Sequence, residues 1–158
     1  MDNELFELAQ QLGQLLNSKG KKIATAESCT GGWIAQMITE VSGSSAWFDR
    51  GFVTYSNAAK MQMLGVKPET LDKFGAVSVQ TATEMADGAL AHSDADCAIA
   101  VTGIAGPDGG TAEKPVGTVF IAWGKKNQDV KVVLKQLIGN RHEIRRQTVK
   151  MAITGVGL

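Results

Sequence analysis

The chain has 158 residues with 16 basic and 16 acidic side chains, so its formal net charge at pH 7 is zero. A neutral chain lacks the positive excess that meets nucleic-acid phosphates, which speaks against nucleic acid as a partner. The length is typical of one compact domain, and we expect residues 1–158 to form a single domain. The two cysteines, Cys29 and Cys97, are too few for a disulfide framework or a four-ligand zinc site.

The amino terminus and the apolar runs bear on cellular location. Asp2 and Glu4 open the chain, and no basic segment precedes a long apolar run, so the sequence predicts no signal peptide. No apolar run approaches the roughly 18 residues that a transmembrane helix needs. Free cysteine thiols are typical of a reducing compartment. We therefore expect a cytoplasmic protein with no membrane partner.

Helical and strand-like patterns alternate along the whole chain, which predicts an α/β fold. Helices are predicted, in chain order, at 4–17, 33–41, 57–64, 68–74 and 78–91, and after Asn140. Asn57 is expected to cap the third of these helices. Strands are predicted at the short apolar runs 22–26, 47–55, 97–101, 116–123 and 130–137. A short polar turn joins the last two strands, so we expect an antiparallel hairpin within a mixed central sheet, covered by helices on both faces as a three-layer α/β/α sandwich.

The turn between the first strand and the second helix, ESCTGG at 27–32, is rich in small residues. A serine placed there stands at the edge of the sheet, and the free N–H groups of the first helical turn face any oxyanion that forms. Ser28 is therefore a candidate nucleophile, and Gly31 lets a substrate approach the backbone closely. Two alternatives stay open from the spacing alone. Ser28 or Thr30 could merely cap the helix, and Cys29 could be the nucleophile instead.

A serine nucleophile needs a base, and the two histidines are poorly placed to provide one. Neither His92 nor His142 adjoins a turn of this kind, so a Ser-His-Asp triad is poorly supported. Lys60 lies among apolar residues whose burial would lower its pKa and leave a neutral amine. Tyr55 could relay a proton or orient that amine. The alternative is an ordinary solvated lysine on a short helix.

A glycine-rich loop over 103–115 follows the buried strand and resembles a phosphate cradle, because its N–H groups can converge on an anion. It matches neither a P-loop nor a dinucleotide fingerprint, and an ordinary flexible loop remains the alternative. The candidate binding residues at its start are Thr102, Gly103, Ile104, Ala105 and Gly106. On the last helix, Arg141 and Arg145 lie one turn apart and suit a phosphate or carboxylate, whereas Arg146 is as well explained by a solvated surface.

Several motifs follow one another in order along the chain. They are TAESCTGG (25–32), GSSAWF (43–48), GFVTYSN (51–57) with Lys60, GAVS (75–78), TGIAGPDGG (102–110), KPVGTV (114–119) and Arg145. Together they resemble the CinA C-terminal domain family in its stand-alone form, from about Leu5 to near the carboxyl terminus. Because the motifs are long and ordered, the resemblance is far more specific than any one of them.

The resemblance implies a nicotinamide-nucleotide amidohydrolase. Such an enzyme hydrolyses nicotinamide mononucleotide to nicotinic acid mononucleotide and ammonia in the recycling of pyridine nucleotides, with no metal or other cofactor. It also implies a catalytic set of Ser28, Lys60 and Tyr55. Oxyanion donors are then expected near Thr30 and Gly31 or in the loop after Thr102, and that loop and the arginines are expected to hold the 5′-phosphate.

Three points stay open on the sequence alone. The same motifs would serve a catalytically inactive nucleotide-binding or regulatory relative of the same fold, or an amidase for another small molecule. The oligomeric state is not encoded in any pattern, although alanine-rich helix faces permit subunit packing. We expect a homodimer.

Overall fold

The computed structural model of the chain describes residues 1–157. Its elements follow the order α1 Asn3–Lys19, β1 Ile23–Glu27, α2 Trp33–Thr39, a short 3-10 turn Ser44–Ala46, β2 Phe48–Val53, α3 Asn57–Leu64, α4 Pro68–Phe74, α5 Val79–Ala91, β3 Cys97–Gly103, β4 Thr118–Lys125, β5 Lys131–Gln136 and α6 Arg141–Thr154. No helix within this part of the chain is both long and apolar enough to cross a bilayer.

The five strands form one mixed sheet in the order β2-β1-β3-β4-β5. β1 runs parallel to β2 and β3, whereas β4 is antiparallel to both β3 and β5, so the predicted hairpin is confirmed. Helices α1, α2 and α6 cover one face, and α3, α4 and α5 cover the other. The predicted α/β/α sandwich with a mixed sheet is therefore confirmed.

The two faces of the sheet differ in side-chain size. Toward α1, α2 and α6 the three central strands present branched residues, among them Ile23, Ile99, Val101, Val119 and Ile121. Toward α5 the same strands present mainly alanine: Ala24, Ala26, Ala98, Ala100 and Ala122. Helix α5 packs Ala82, Ala86 and Ala89 against these strand alanines. Small residues on both sides let the helix pack closely on the sheet, which explains why β1 contains alanines that weaken its strand pattern.

Three local differences from the prediction bear on the functional site. The cap of α3 is Ser56, whose Oγ accepts from the Ala59 N–H, and not Asn57. β3 continues through Gly103, so Thr102 and Gly103 end the strand instead of beginning the loop. The N-cap position of α2 is Gly32, in the left-handed region at φ 101°, so neither Ser28 nor Thr30 occupies it.

The parallel strands β1, β2 and β3 end at the same edge of the sheet. From there β1 connects through α2 to β2 on one side, and β3 connects to β4 on the other. The chain therefore diverges between the neighbouring ends of β1 and β3. A crevice at such a divergence is where open α/β sheets bind their ligands.

Candidate active site

A cavity of about 260 Å³ opens between the ends of β1 and β3. It is lined by Ser28 and Cys29 after β1, Tyr55 after β2, residues 102–106 with Asp108 and Gly109 after β3, residues 76–77 before α5, and Arg141 at the start of α6. The sequence-predicted residues Thr30, Gly31 and Arg145 lie outside this lining. Residues 76–77 belong to the GAVS motif, but no site role is predicted for them, because two small apolar side chains between helices carry no chemical signal.

Behind the cavity wall, the Nζ atom of Lys60 lies 2.9 Å from Ser28 Oγ. The same Nζ donates to the carbonyls of Thr54 at 2.8 Å and Tyr55 at 3.3 Å. Lys60 is only 1% exposed, so the alternative of a solvated lysine is wrong. Burial lowers the pKa of the Lys60 ammonium, because its charged form loses hydration.

The partners of Lys60 give its neutral form a defined orientation. A neutral amine has two N–H bonds and one lone pair. With its hydrogens directed at the two carbonyls, the lone pair is left facing the Ser28 hydroxyl. No carboxylate within residues 1–157 forms a salt bridge with Lys60 that would hold it charged. The pair is arranged for transfer of a proton from oxygen to nitrogen.

The side chain of Tyr55 points elsewhere. Its hydroxyl accepts from Arg141 Nη2 at 3.1 Å, and the residue is 63% exposed. The hydrogen bond between Tyr55 and Lys60 runs through the backbone carbonyl of Tyr55. Within the described residues, no hydrogen bond joins the phenol to Ser28 or Lys60, so the structure brings the backbone and not the ring to the amine.

Arg141 bridges two walls of the cavity at its mouth. Besides the Tyr55 phenol, its guanidinium reaches the Gly106 carbonyl at 2.8 Å. Arg141 therefore joins the segment after β2 to the loop after β3, and it lines the cavity. Arg141 and the glycine-rich loop, both of which are expected from the sequence to bind phosphate, thus lie together at this cavity.

The other two arginines of α6 have different partners. Arg145 donates to the carbonyls of Cys29 at 3.0 Å and Thr30 at 3.1 Å, and it lies over the Trp33 ring at 5.5 Å. Its guanidinium therefore holds the Ser28 turn from outside the cavity. Arg146 forms ion pairs with the carboxylates of Asp2, the N-cap of α1, and Glu4 in its first turn, so it links two helices and is not simply a solvated surface residue.

Cys29 is a poor rival to Ser28. Burial raises the pKa of its thiol to about 12, so the thiol stays protonated at neutral pH. The thiolate is the nucleophilic form of cysteine. Ser28, in contrast, has an amine within hydrogen-bonding distance. The geometry favours Ser28.

Backbone N–H groups around the cavity differ in whether they are already bonded. The Gly31 N–H donates to the Ser28 carbonyl and is occupied. In the described part of the chain, the N–H groups of Ala105 and Gly106 donate to no acceptor, and the Cys29 N–H has none beyond its own thiol. All three of those residues line the cavity, so their N–H groups are the candidate donors for an oxyanion.

Sequence reasoning missed Glu27. This residue is fully buried at the end of β1, and its carboxylate accepts from the Thr30 hydroxyl at 2.6 Å and from the N–H groups of Ile34 at 2.8 Å and Ala35 at 3.0 Å. Burial raises the pKa of Glu27, and these hydrogen bonds oppose that effect. A signal was present, since a carboxylate ending an otherwise small and apolar strand must find buried donors.

The model of the CinA C-terminal domain matches residues 5–157. The chain belongs to the CinA C-terminal domain family. This CinA domain is 52% identical over 152 residues to the Escherichia coli K12 protein named "Nicotinamide-nucleotide amidohydrolase PncC", covering 96% of this chain and 92% of that protein. A Pseudomonas putida protein of the same name is 50% identical over 149 residues, covering 94% and 92%.

Solved structures share the fold of this CinA domain. Competence/damage inducible protein CihA from Agrobacterium tumefaciens has a TM-score of 0.95 at 51% identity, covering 98% of this chain and 94% of that chain. The competence damage-inducible protein A (ComA) from Klebsiella pneumoniae has a TM-score of 0.92 at 37% identity, covering 96% and 93%. The resemblance drawn from the motifs is thereby confirmed at the level of family and fold. Among residues 1–157 of this CinA domain, no group of three or more His, Cys, Asp or Glu side chains could hold a metal ion.

Proposed function

We propose that this CinA domain is a nicotinamide-nucleotide amidohydrolase, with nicotinamide mononucleotide as its substrate. The observation that carries the proposal is the buried pair of Ser28 and Lys60, with 2.9 Å between Oγ and Nζ, at the wall of the cavity. The substrate class is supported by relatives of about half-identical sequence that are named for this activity.

The first half of the proposed reaction forms an ester. Neutral Lys60 accepts the proton of the Ser28 hydroxyl as Oγ attacks the carboxamide carbon. The oxyanion that forms is held by backbone N–H groups, for which Cys29, Ala105 and Gly106 are the candidates. As the tetrahedral intermediate collapses, the Lys60 ammonium returns the proton to the leaving nitrogen, and ammonia departs.

The second half hydrolyses the ester. Lys60, again neutral, takes a proton from water as the oxygen attacks the acyl carbon. Collapse of the second intermediate returns that proton to Ser28 Oγ and releases the carboxylic acid, which then ionises in water. Over both halves, one amide and one water give one carboxylic acid and one ammonia, and the enzyme is regenerated.

The remaining predicted residues are assigned to binding and support. Arg141 and the loop that begins at Thr102 would hold the 5′-phosphate, since a guanidinium and converging N–H groups both suit an anion. Tyr55 would hold Arg141 through its phenol and Lys60 through its carbonyl. Thr30 and Arg145 would fix the turn that carries Ser28.

The test is ammonia release from nicotinamide mononucleotide by the purified protein, with nicotinic acid mononucleotide quantified in parallel. Ser28→Ala is the control, and full turnover by that variant would overturn the scheme. Tight binding of nicotinamide mononucleotide without ammonia release would favour the rival function, a nucleotide-binding module without turnover. If neither occurs, a panel of amide nucleotides tests for a different amidase.

We further propose that the domain acts as a homodimer in the cytoplasm and has no nucleic-acid partner. The alanines of α5 pack on the sheet and lend the dimer no support, so the dimer stays an expectation from the sequence, whereas the absence of a nucleic-acid partner rests on the zero net charge. Light scattering on the purified protein tests the first. A gel-shift titration with DNA and RNA at low salt tests the second.

A further inference from the structure

We propose that Glu27 is a positioning residue for Ser28, because its buried carboxylate ties the end of β1 to the start of α2 and thereby fixes the turn between them. The proposal rests on Ser28 being the nucleophile, as in the proposed function, but it does not depend on which amide is the substrate.

One end of the turn is anchored in the sheet. Glu27 pairs with Val53 of β2 and Val101 of β3, and its carbonyl accepts from the Thr54 N–H at 2.8 Å. The next residue, Ser28, donates its own N–H to the Val101 carbonyl at 3.1 Å. The backbone on this side of the nucleophile therefore has little freedom.

The other end has no anchor of its own. Gly31 and Gly32 both lie in the left-handed region, at φ 60° and 101°, and Gly32 has no side chain with which to cap α2. The first free N–H groups of the helix, at Ile34 and Ala35, bond instead to the two carboxylate oxygens of Glu27. The side chain thus spans the whole turn from strand to helix.

Thr30 joins the middle of the turn to the same carboxylate, through its hydroxyl at 2.6 Å. The outer surface of the turn is held separately by Arg145 on the carbonyls of Cys29 and Thr30. The turn is therefore held from inside by Glu27 and from outside by Arg145. Both the Ser28 hydroxyl and the Cys29 N–H belong to the segment so held.

A carboxylate suits this site because each group that hydrogen-bonds to it is a donor. Two oxygens of a carboxylate accept from three donors, Oε1 from two and Oε2 from one. In Glu27→Gln, the amide keeps one acceptor oxygen and presents an NH₂ group to a donor on the other side. The turn must then shift, while the size of the side chain stays the same.

The experiment compares wild type, Glu27→Gln and the control Asp2→Ala. Asp2 is also a carboxylate that caps a helix, α1, but it lies outside the cavity lining. Each protein is assayed with nicotinamide mononucleotide, and Ser28 is labelled in parallel with an alkyl fluorophosphonate, which forms a Ser28 Oγ–P bond as fluoride leaves. Melting temperatures are recorded, and assays are run well below them.

We expect Glu27→Gln to lower both kcat and the labelling rate by about 100-fold, since a displacement of about 1 Å at a reacting atom has an effect of this size. KM should stay within about threefold, and the pH at which activity is half-maximal should not move, because Glu27 touches neither substrate nor proton. Asp2→Ala should lower the melting temperature and leave both rates unchanged. Wild-type rates in folded Glu27→Gln would overturn the proposal.

Further outcomes separate this proposal from the proposed function. If the wild type is labelled at Ser28 but releases no ammonia, the proposed substrate is wrong. The labelling rates of wild type and Glu27→Gln then still test the role of Glu27. A wild type inert to both reagents overturns Ser28 as nucleophile and Glu27 with it. If Glu27→Gln does not fold, Thr30→Ser should keep a higher labelling rate than Thr30→Val, because only serine retains the hydroxyl on Glu27; equal rates would overturn the proposal.

Discussion

Lys60 Nζ and Ser28 Oγ lie 2.9 Å apart although their residues are 32 positions apart in the chain. The sheet brings them together: β1 and β2 are parallel neighbours, so the turn after β1 and the helix after β2 begin at the same edge. The lysine reaches the serine from within the protein, and its only other hydrogen-bond partners among residues 1–157 are two backbone carbonyls. Its chemistry is therefore sensitive to both charge and geometry, which leads to the first two predictions.

Lys60→Arg is expected to reduce kcat by at least about 100-fold, the lower end of what a general base contributes. Arginine can hydrogen-bond at this position, but its guanidinium does not lose a proton at any pH at which the enzyme is stable. Steady-state ammonia release measures the effect. Lys60→Met is the matched variant, since it retains the length of the side chain without a nitrogen. A Lys60→Arg enzyme with near-normal kcat would exclude Lys60 as the base.

Activity is expected to rise with pH. Burial lowers the pKa of Lys60 from its ordinary value of 10.5, and the neutral form is the reactive one, so kcat/KM should increase as pH rises through the lowered value.

The free energy of unfolding should also rise with pH, between the lowered pKa of Lys60 and 10.5, because there the unfolded chain binds the proton and the folded chain does not. Urea titrations of wild type and Lys60→Met at several pH values test this, and an equal pH slope in both would contradict it.

Tyr55→Phe is expected to keep kcat within about threefold and to raise KM by about three- to tenfold, the scale of one lost hydrogen bond. The phenol bonds to Arg141 and not to the catalytic pair, so its loss should loosen the binding group and leave proton transfer intact. Separate determination of kcat and KM decides the matter. A fall in kcat by two orders of magnitude with KM unchanged would instead assign a proton relay to the phenol.

Arg141→Ala is expected to raise KM for nicotinamide mononucleotide by about 10- to 100-fold, the range for charge-assisted hydrogen bonds. The rise in KM should come from the lost contact between Arg141 and the 5′-phosphate of the substrate. Nicotinamide riboside, which lacks the phosphate, supplies the control substrate. Wild type and variant should use it with similar kcat/KM, and an equal loss on both substrates would show that Arg141 does not recognise the phosphate.

The sequence predicts the parts of this site that depend on the order of elements. Ser28 after β1 and the glycine-rich segment after β3 follow from strand–turn–helix patterns, since parallel strands end at one edge. Apolar neighbours and the poorly placed histidines make Lys60 a candidate base, but only the resemblance to the CinA C-terminal domain family favours it over a solvated lysine. Local patterns carry the position of the serine turn and not the burial of the lysine.

The features of the site that the sequence does not predict depend on the directions in which side chains point. Arg141 and Arg145 lie one helical turn apart and look alike in the sequence. Arg141 nevertheless bonds to the loop at the cavity, whereas Arg145 bonds to the turn that carries Ser28 from outside the cavity. The Tyr55 ring turns toward Arg141 because the strand has ended and no longer fixes the side it faces. Glu27 could be noticed as unusual, but its three donors are set by how α2 docks on the sheet.

The alanine layer between α5 and the sheet has a consequence for mutational scanning. Gly88 of α5 lies so close to the Leu64 carbonyl of α3 that an added Cβ would overlap it. Because α3 packs on α5, enlarging the alanine layer is expected to displace α5 together with α3 and to move Lys60 away from Ser28. A selection for activity should therefore flag these alanines and Gly88 as strongly as residues of the cavity, although none of them lines it. Their sensitivity to substitution would reflect the distance they set between α5 and the sheet and not a part in the chemistry.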